Sequence, residues 1–248
     1  MLTIIIFLFG LVIGSFLSAF SFRYPKNISI VKGRSVCDDC GKTISWYDNI
    51  PLVSYLFLWG KCRNCKKHIS LRYPAIELIT AIGFSSIYFY RSLLPHNFFF
   101  LTFIFCLLVL IFVIDIEHQI IPDVFVFLGV FVTVTYFMLA HFDFLFANIF
   151  AGFAAALFLL LVNLITRGRG MGLGDVKFAI LGGLLMGKFT FIWMLMAFLT
   201  GGVAGSILIL GRKAGLKDKI AFGPFLVFAL IMTVIFGNWI LRFLNLNT

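Results

Sequence analysis

The sequence predicts an all-α polytopic membrane protein with about eight transmembrane helices and a small cytosolic loop domain. Of its 248 residues, 62% are apolar and only 12% are charged, whereas a soluble domain is about half apolar and a quarter charged. Apolar runs suited to membrane helices recur along the whole chain. One polar segment, residues 23–73, interrupts these runs and carries two Cys-x-x-Cys pairs, a pattern that resembles a zinc ribbon. This composition excludes a soluble globule, a disordered tail and a disulfide-rich secreted miniprotein.

Eight apolar runs are predicted to be membrane helices. They are residues 2–22, 75–90, 98–114, 124–140, 145–165, 176–186, 189–210 and 222–241. The first run is followed, not preceded, by its first basic residue, which predicts an uncleaved helix rather than a cleavable signal. The sixth run is short and contains two adjacent glycines, so we expect it to begin earlier, in the Gly-rich segment, or to be half-buried. We divide the chain into a first helix (1–22), a Cys module (23–73) and a membrane core (74–248).

The distribution of basic residues predicts an orientation. With the N-terminus outside, the inner segments 23–73, 115–123, 166–177 and 211–221 hold 17 of the 20 Lys and Arg residues. Cytoplasmic loops of membrane proteins carry such an excess. The net charge of +10 therefore indicates contact with anionic lipid rather than with nucleic acid, because no basic face remains outside the spans.

Four cysteines of the Cys module have the spacing of metal ligands. Cys37 and Cys40 form one pair, and Cys62 and Cys65 form the other. Four thiolates on two short knuckles suit one tetrahedral zinc ion, and so small a module needs such a support. Two disulfides or redox-active dithiols are the alternative, which a reducing cytosol disfavours. Since four Cys ligands leave no open position, the predicted zinc is structural.

Two acids at the cytosolic ends of different spans carry the predicted chemistry. Asp115 closes the third run, and Asp175 follows Gly172 and Gly174 at the start of the sixth. Two carboxyl groups brought close together do not both ionise easily, so one retains a proton while the other acts as a base. Such a pair can activate water against a peptide carbonyl. Taken alone, Gly-x-Gly-Asp is more commonly an N-capping Asp after a flexible turn.

The order of the motifs along the chain identifies a family resemblance. The motifs lie at residues 14–17, 23–25, 37–40, 49–55, 62–65, 70–77, 115–123, 172–177 and 222–225. Together they resemble the bacterial prepilin peptidases, the membrane aspartic proteases of type IV pilus, competence and type II secretion systems. The resemblance covers nearly the whole chain, including Lys177 within the Gly-x-Gly-Asp segment.

The resemblance implies an enzyme of the bacterial inner membrane whose catalytic pair is Asp115 and Asp175, with Asp123 as a recurrent acid nearby. Its substrates would be prepilins or pseudopilins, cut on the cytosolic side after a glycine that ends a short basic leader. The new N-terminal residue would then be methylated with S-adenosylmethionine, an activity associated with Gly60 and Lys61. Electrostatics agree, because a basic leader would be attracted to segment 115–123, which has three acids and no Lys or Arg.

Three other functions remain open at this point. A presenilin-type protease shares Gly-x-Gly-Asp but cuts within the bilayer. A proton-coupled transporter could use the same acids, and a Gly-broken short span suits that class. A zinc-stabilised scaffold would simply leave its acids solvated.

Overall fold

The computed structural model describes residues 1–29, 35–37, 39–92, 96–168, 170–211 and 221–243. Most of the predicted inner segment 211–221, and Asp38 between the first two cysteines, lie outside these residues. Most of the described residues are helical. The helices are α1 (Leu2–Arg23), α2 (Val53–Phe57), α3 (Arg72–Phe89), α4 (Phe98–His118), α5 (Asp123–Ala140), α6 (Phe142–Ile165), α7 (Leu173–Met186), α8 (Thr190–Leu210) and α9 (Gly223–Phe243). The described residues contain no strand, only two isolated β-bridges in the Cys module.

The helices confirm the predicted fold class. Eight of them have 14 residues or more, and the ninth, α2, is a short helix inside the Cys module. Five stretches of the described chain are long and apolar enough to cross a membrane, with α7 and α8 counted together as one of them. The chain is therefore a multi-pass membrane protein.

The sixth apolar run begins earlier than its apolar residues alone indicate. α7 starts at Leu173, inside the Gly-rich segment, which was one of the two expectations for this run. Its 14 residues extend only about 21 Å at 1.5 Å per residue, less than the roughly 30 Å of the hydrocarbon core. This short helix carries the second predicted catalytic acid in its first turn.

The chain forms two compact units, residues 1–110 and 111–248. In the first unit, glycines bring α1 and α3 into close contact. A Cβ added at Gly10 would lie 2.6 Å from Ala81 Cα, and one added at Gly14 would lie 2.6 Å from Glu77 Cα. Small residues four apart permit this close approach of membrane helices. The sequence predicts further domain boundaries at residues 22 and 73, within the first unit, and these stay a prediction.

In the second unit, α6 and α7 make a similar close crossing. A Cβ at Gly183 would lie 2.6 Å from Gly152 Cα, so the two glycines face each other. The fully buried Trp193 of α8 donates its indole N–H to the carbonyl of Leu226 in α9, at 2.9 Å. These contacts fix the helices whose ends carry the candidate site.

Candidate active site

Asp115 lies near the C-terminal end of α4 and is only 4% exposed. Its Oδ2 atom is buried and accepts no hydrogen bond from any residue that the structure describes. The backbone of Gly223, at the start of α9, lies directly beside the carboxyl group: a Cβ there would be 2.5 Å from Oδ2. A helix N-terminus carries partial positive charge, which favours a nearby carboxylate. A buried carboxyl oxygen without a hydrogen-bond donor is unfavourable for stability, so a functional reason for its position is expected.

Asp175 is the third residue of α7 and is 7% exposed. Its Oδ2 accepts the backbone N–H of Gly172, at 3.0 Å. This is one half of a capping box, and the other half is impossible because Gly172 has no side chain. The absence of a Cβ also leaves room, since a Cβ at Gly172 would lie 3.2 Å from the same oxygen. The carboxyl group is thus held at the end of α7 by its own backbone.

A single side chain lies against glycines beside both acids. Ile121, which is buried in the segment between α4 and α5, contacts both Gly174 and Gly223. A Cβ at Gly174 would lie 3.1 Å from Ile121 Cβ, and one at Gly223 would lie 3.1 Å from Ile121 Cδ1. Gly174 immediately precedes Asp175, and Gly223 lies against the carboxyl group of Asp115. The structure therefore brings the two predicted acids into one cluster at the ends of α4, α7 and α9.

The segment that leads into α7 is tied to the end of α6. Asn163 donates its side-chain N–H to the carbonyl of Met171, at 2.6 Å. The Thr166 hydroxyl accepts the backbone N–H of Gly170, at 3.1 Å. These bonds fix the Gly-rich turn that sets the position of Asp175.

Asp123, at the start of α5, and Lys177, in the second turn of α7, form an ion pair. The ammonium nitrogen of Lys177 lies 2.8 Å from each carboxylate oxygen of Asp123. Both side chains are exposed: that of Lys177 by 40% and that of Asp123 by 53%. Asp123 is thus engaged by a neighbouring lysine and fastens α5 to α7 beside the acid cluster.

The four cysteines of the Cys module converge. Their sulfur atoms all lie within 4.8 Å of one another, and the Sγ atoms of Cys37 and Cys65 are 3.9 Å apart. A tetrahedral zinc at about 2.3 Å from each sulfur would separate the sulfurs by about 3.8 Å. The arrangement could therefore bind a metal such as zinc. Cys106, in α4, is not part of this group.

The two pairs are built as matching knuckles. In each, the first cysteine's N–H donates to a carbonyl five residues on, and its carbonyl accepts an N–H from four residues on. The accepted N–H groups belong to Gly41 and Lys66, both with positive φ, as the tight turns require. An ion pair of 2.8 Å between Lys67 and Asp39 joins the knuckles.

The thiols of the second pair have unequal acidity. Backbone N–H groups of Cys65 and Asn64 lower the pKa of the Cys62 thiol to about 7. The backbone N–H of Lys67 acts in the same direction on Cys65, but desolvation and hydrogen bonds with neighbouring thiols raise its pKa to about 11. A thiolate surrounded by thiols is an arrangement that a divalent cation stabilises.

Gly60 and Lys61, the residues associated with methylation, immediately precede Cys62, the first cysteine of the second knuckle. Gly60 has a φ of +66°, and a Cβ there would lie 2.8 Å from the hydroxyl oxygen of Tyr55. Its carbonyl accepts the N–H of Ile69, at 2.7 Å. Gly60 thus has a clear conformational role, and a part for it in methyl transfer stays a prediction.

Sequence reasoning missed three residues of the acid cluster. Gly223 belonged to a recognised motif but received no role, while Ile121 and Asn163 were not singled out. One signal was available for Gly223: Pro224 at the first turn predicts a helix start, and a helix start attracts a carboxylate. The contacts of Ile121 and Asn163 depend on tertiary packing alone.

Two stretches of the chain match family models. Residues 8–91 match the model described as bacterial peptidase A24 N-terminal domain. Residues 102–210 match the model described as type IV leader peptidase family. The first stretch contains the four clustered cysteines, and the second contains both clustered aspartates.

Relatives with known names cover nearly the whole chain. A protein of Bacillus subtilis is 32% identical over 96% of both chains. A protein of Pseudomonas aeruginosa is 32% identical over 95% of this chain and 90% of its own. One of Vibrio cholerae is 36% identical over 72% of this chain and 75% of its own. Each is named prepilin leader peptidase/N-methyltransferase.

No solved structure matches the chain. The sequence matches nevertheless confirm the predicted resemblance and the predicted class of enzyme, a peptidase whose relatives' names include N-methyltransferase activity. They also agree with a multi-pass protein of the bacterial inner membrane. With this identity extending over almost its full length, the chain belongs to the type IV leader peptidase family.

Proposed function

We propose that the protein is an aspartic endopeptidase that removes the leader from type IV prepilin-like proteins, with Asp115 and Asp175 as its catalytic pair. The observation that carries the proposal is the burial of both acids in one cluster, with Oδ2 of Asp115 unpaired among the described residues. A buried oxygen of this kind suits a shared proton or an attacking water molecule.

In the proposed reaction the pair holds one proton. The ionised carboxyl accepts a proton from water as the water oxygen attacks the carbonyl carbon of the scissile peptide bond. The protonated carboxyl donates to the carbonyl oxygen, and the tetrahedral intermediate then loses its amine. The C–N bond breaks, and the amine leaves with a proton returned by the pair. The hydrogen bond from Gly172 to Asp175 keeps one carboxyl oriented throughout.

We further propose that cleavage follows a glycine at the end of a short basic leader, on the cytosolic side, with the protein's N-terminus outside. The excess of Lys and Arg in the inner segments supports this orientation. The acids of segment 115–123 would attract the leader, although Asp123 is already paired with Lys177.

We also propose that the enzyme methylates the amine that cleavage exposes. The names of the relatives support this second activity. S-adenosylmethionine would supply the methyl group: the new terminal amine would form a bond to the methyl carbon as the bond from that carbon to sulfur breaks, S-adenosylhomocysteine would leave, and the amine would lose a proton. Zinc bound by Cys37, Cys40, Cys62 and Cys65 would be structural, because four thiolates complete its coordination.

Co-expression with a candidate prepilin, followed by mass spectrometry of the pilin N-terminus, tests both activities. We expect a product that begins directly after the leader glycine and is about 14 Da heavier than the unmodified chain, which is the mass of one added CH₂ group. A product cut within the apolar segment, or an uncut prepilin, would contradict the proposal.

A further inference from the structure

Glu77 borders an open, mostly apolar cavity in the first unit. The cavity measures about 740 Å³ and is lined by α1, the loops of the Cys module and the first turns of α3. That volume falls within the roughly 300–1,000 Å³ of small-molecule sites. Glu77 is 7% exposed and lies in the second turn of α3. Burial of an acid is costly unless its oxygens are paired, so this position calls for an explanation.

The partners of Glu77 are neutral. The backbone N–H of Leu52 donates to its Oε2 at 2.8 Å, and the hydroxyl of Ser15 interacts with the same carboxyl group. Within the described part of the chain, no Lys, Arg or His forms an ion pair with it. A carboxylate can accept about four hydrogen bonds, so further acceptor positions are available.

The backbone around the cavity is shaped to hold this carboxyl group. Leu52 has a φ of +57°, a region that a branched side chain rarely adopts. Such strain persists only where the surroundings enforce it, and it clusters at functional sites. Gly14 allows α1 to approach α3 so closely that Ser15 reaches the acid. Two elements distant in sequence thus converge on Glu77.

Basic as well as acidic side chains border the cavity, and of the basic ones Arg63 and Lys67 are paired with Asp48 and Asp39. The surroundings of Glu77 itself favour a cationic ligand. A buried carboxylate with only neutral partners would gain most from a positive charge within hydrogen-bonding reach. Cys37 and Cys62 border the same cavity, so the predicted zinc would fix one of its walls. Methyl transfer, as proposed above, brings two cationic α-amino groups to the enzyme: that of the methyl donor and that of the cleaved substrate.

We propose that Glu77 is the receptor for an α-ammonium group in this cavity, bound as a charged hydrogen bond beside Leu52 and Ser15. This assignment rests on the proposed methyl transfer. It adds to that proposal a binding site and the residue that binds the ammonium group. The ammonium could belong to the amino-acid end of the methyl donor or to the new N-terminal residue of the pilin. Both offer the same chemistry to the carboxylate.

Calorimetry on the purified full-length protein separates the two sources. The probes are S-adenosylhomocysteine, which has the α-ammonium group, and methylthioadenosine, which lacks it. If Glu77 reads the donor, Glu77→Gln weakens S-adenosylhomocysteine binding by about 10- to 100-fold and leaves methylthioadenosine binding unchanged. If it reads the substrate, binding of both probes is unchanged and KM for a pre-cleaved pilin rises by a similar factor.

Three controls distinguish binding from a structural role. Thr80→Val removes a buried hydroxyl one turn further along α3 that bonds only within its own helix and does not border the cavity. It should leave binding and methylation unchanged. Glu77→Asp should recover part of the lost affinity, and leader cleavage by all variants should match wild type. Ser15→Ala, which keeps the acid, should weaken binding less than Glu77→Gln does.

The outcomes are decisive in either direction. Normal binding of both probes and normal KM in Glu77→Gln, in an enzyme that methylates, would overturn the assignment alone. A wild-type enzyme that cleaves but neither methylates nor binds S-adenosylhomocysteine would overturn the proposed methyl transfer and the assignment with it. Loss of zinc or of cleavage in Glu77→Gln, with no recovery in Glu77→Asp, would show a structural role and also overturn it.

Discussion

Gly223→Ala is expected to disable cleavage without unfolding the protein. The added Cβ would lie 2.5 Å from Oδ2 of Asp115 and 3.1 Å from Ile121 Cδ1. Ordinary van der Waals contact begins near 3.4 Å, so the methyl and the carboxyl oxygen must separate by about 0.9 Å. Displacement of a catalytic group by about 1 Å costs roughly 100-fold in rate, which corresponds to about 2.7 kcal/mol of activation free energy.

The assay is steady-state cleavage of a purified prepilin, with kcat and KM measured separately. We expect kcat to fall about 100-fold while KM changes little, because the methyl group perturbs the acid rather than the substrate. Gly202→Ala is the matched control: it lies in α8 of the same unit, and an added Cβ there has nothing within 4 Å. A Gly223→Ala enzyme with kcat within twofold of wild type would refute the geometry of the site.

Three further predictions concern the rest of the molecule. Cys62→Ser should abolish zinc binding measured by elemental analysis, whereas Cys106→Ser should retain about one zinc per chain, since only the former lies in the sulfur cluster; equal zinc contents would contradict the metal site. Asp123→Asn should change the free energy of unfolding by less than about 1 kcal/mol, because its ion pair with Lys177 is exposed. Gly183→Val should lower that free energy by about 1–3 kcal/mol or more, because its side chain would overlap the backbone of α6. Thermal unfolding in detergent that ranked these two variants in the opposite order would contradict the packing described for α6 and α7.

Much of the fold follows from the sequence because the membrane imposes simple rules. Apolar runs of sufficient length must form helices, since no water is present to satisfy the backbone. The helices therefore lie where the apolar runs predict them. The four cysteines also converge as predicted, because two Cys-x-x-Cys pairs at this distance suit the two knuckles of one metal site.

The contacts between helices could not be predicted in the same way. The sequence shows that Asp115 and Asp175 end different helices, but it does not show that Ile121 contacts Gly174 and Gly223. Such contacts depend on how helices cross, and the crossings depend on small residues such as Gly183 that have many possible partners. The strained backbone of Leu52 is likewise invisible in a sequence, because leucine is not expected at positive φ.

The most direct test of the account is cleavage by single and double Asn variants of the two acids. Because the pair is expected to act as a unit, Asp115→Asn and Asp175→Asn should each reduce kcat by about 10⁴-fold or more, and the double variant should be little worse than either single variant. All three should bind zinc as wild type does, which would show that the Cys module is intact. If either single variant cleaves a prepilin at the wild-type rate, the two acids are not the catalytic pair.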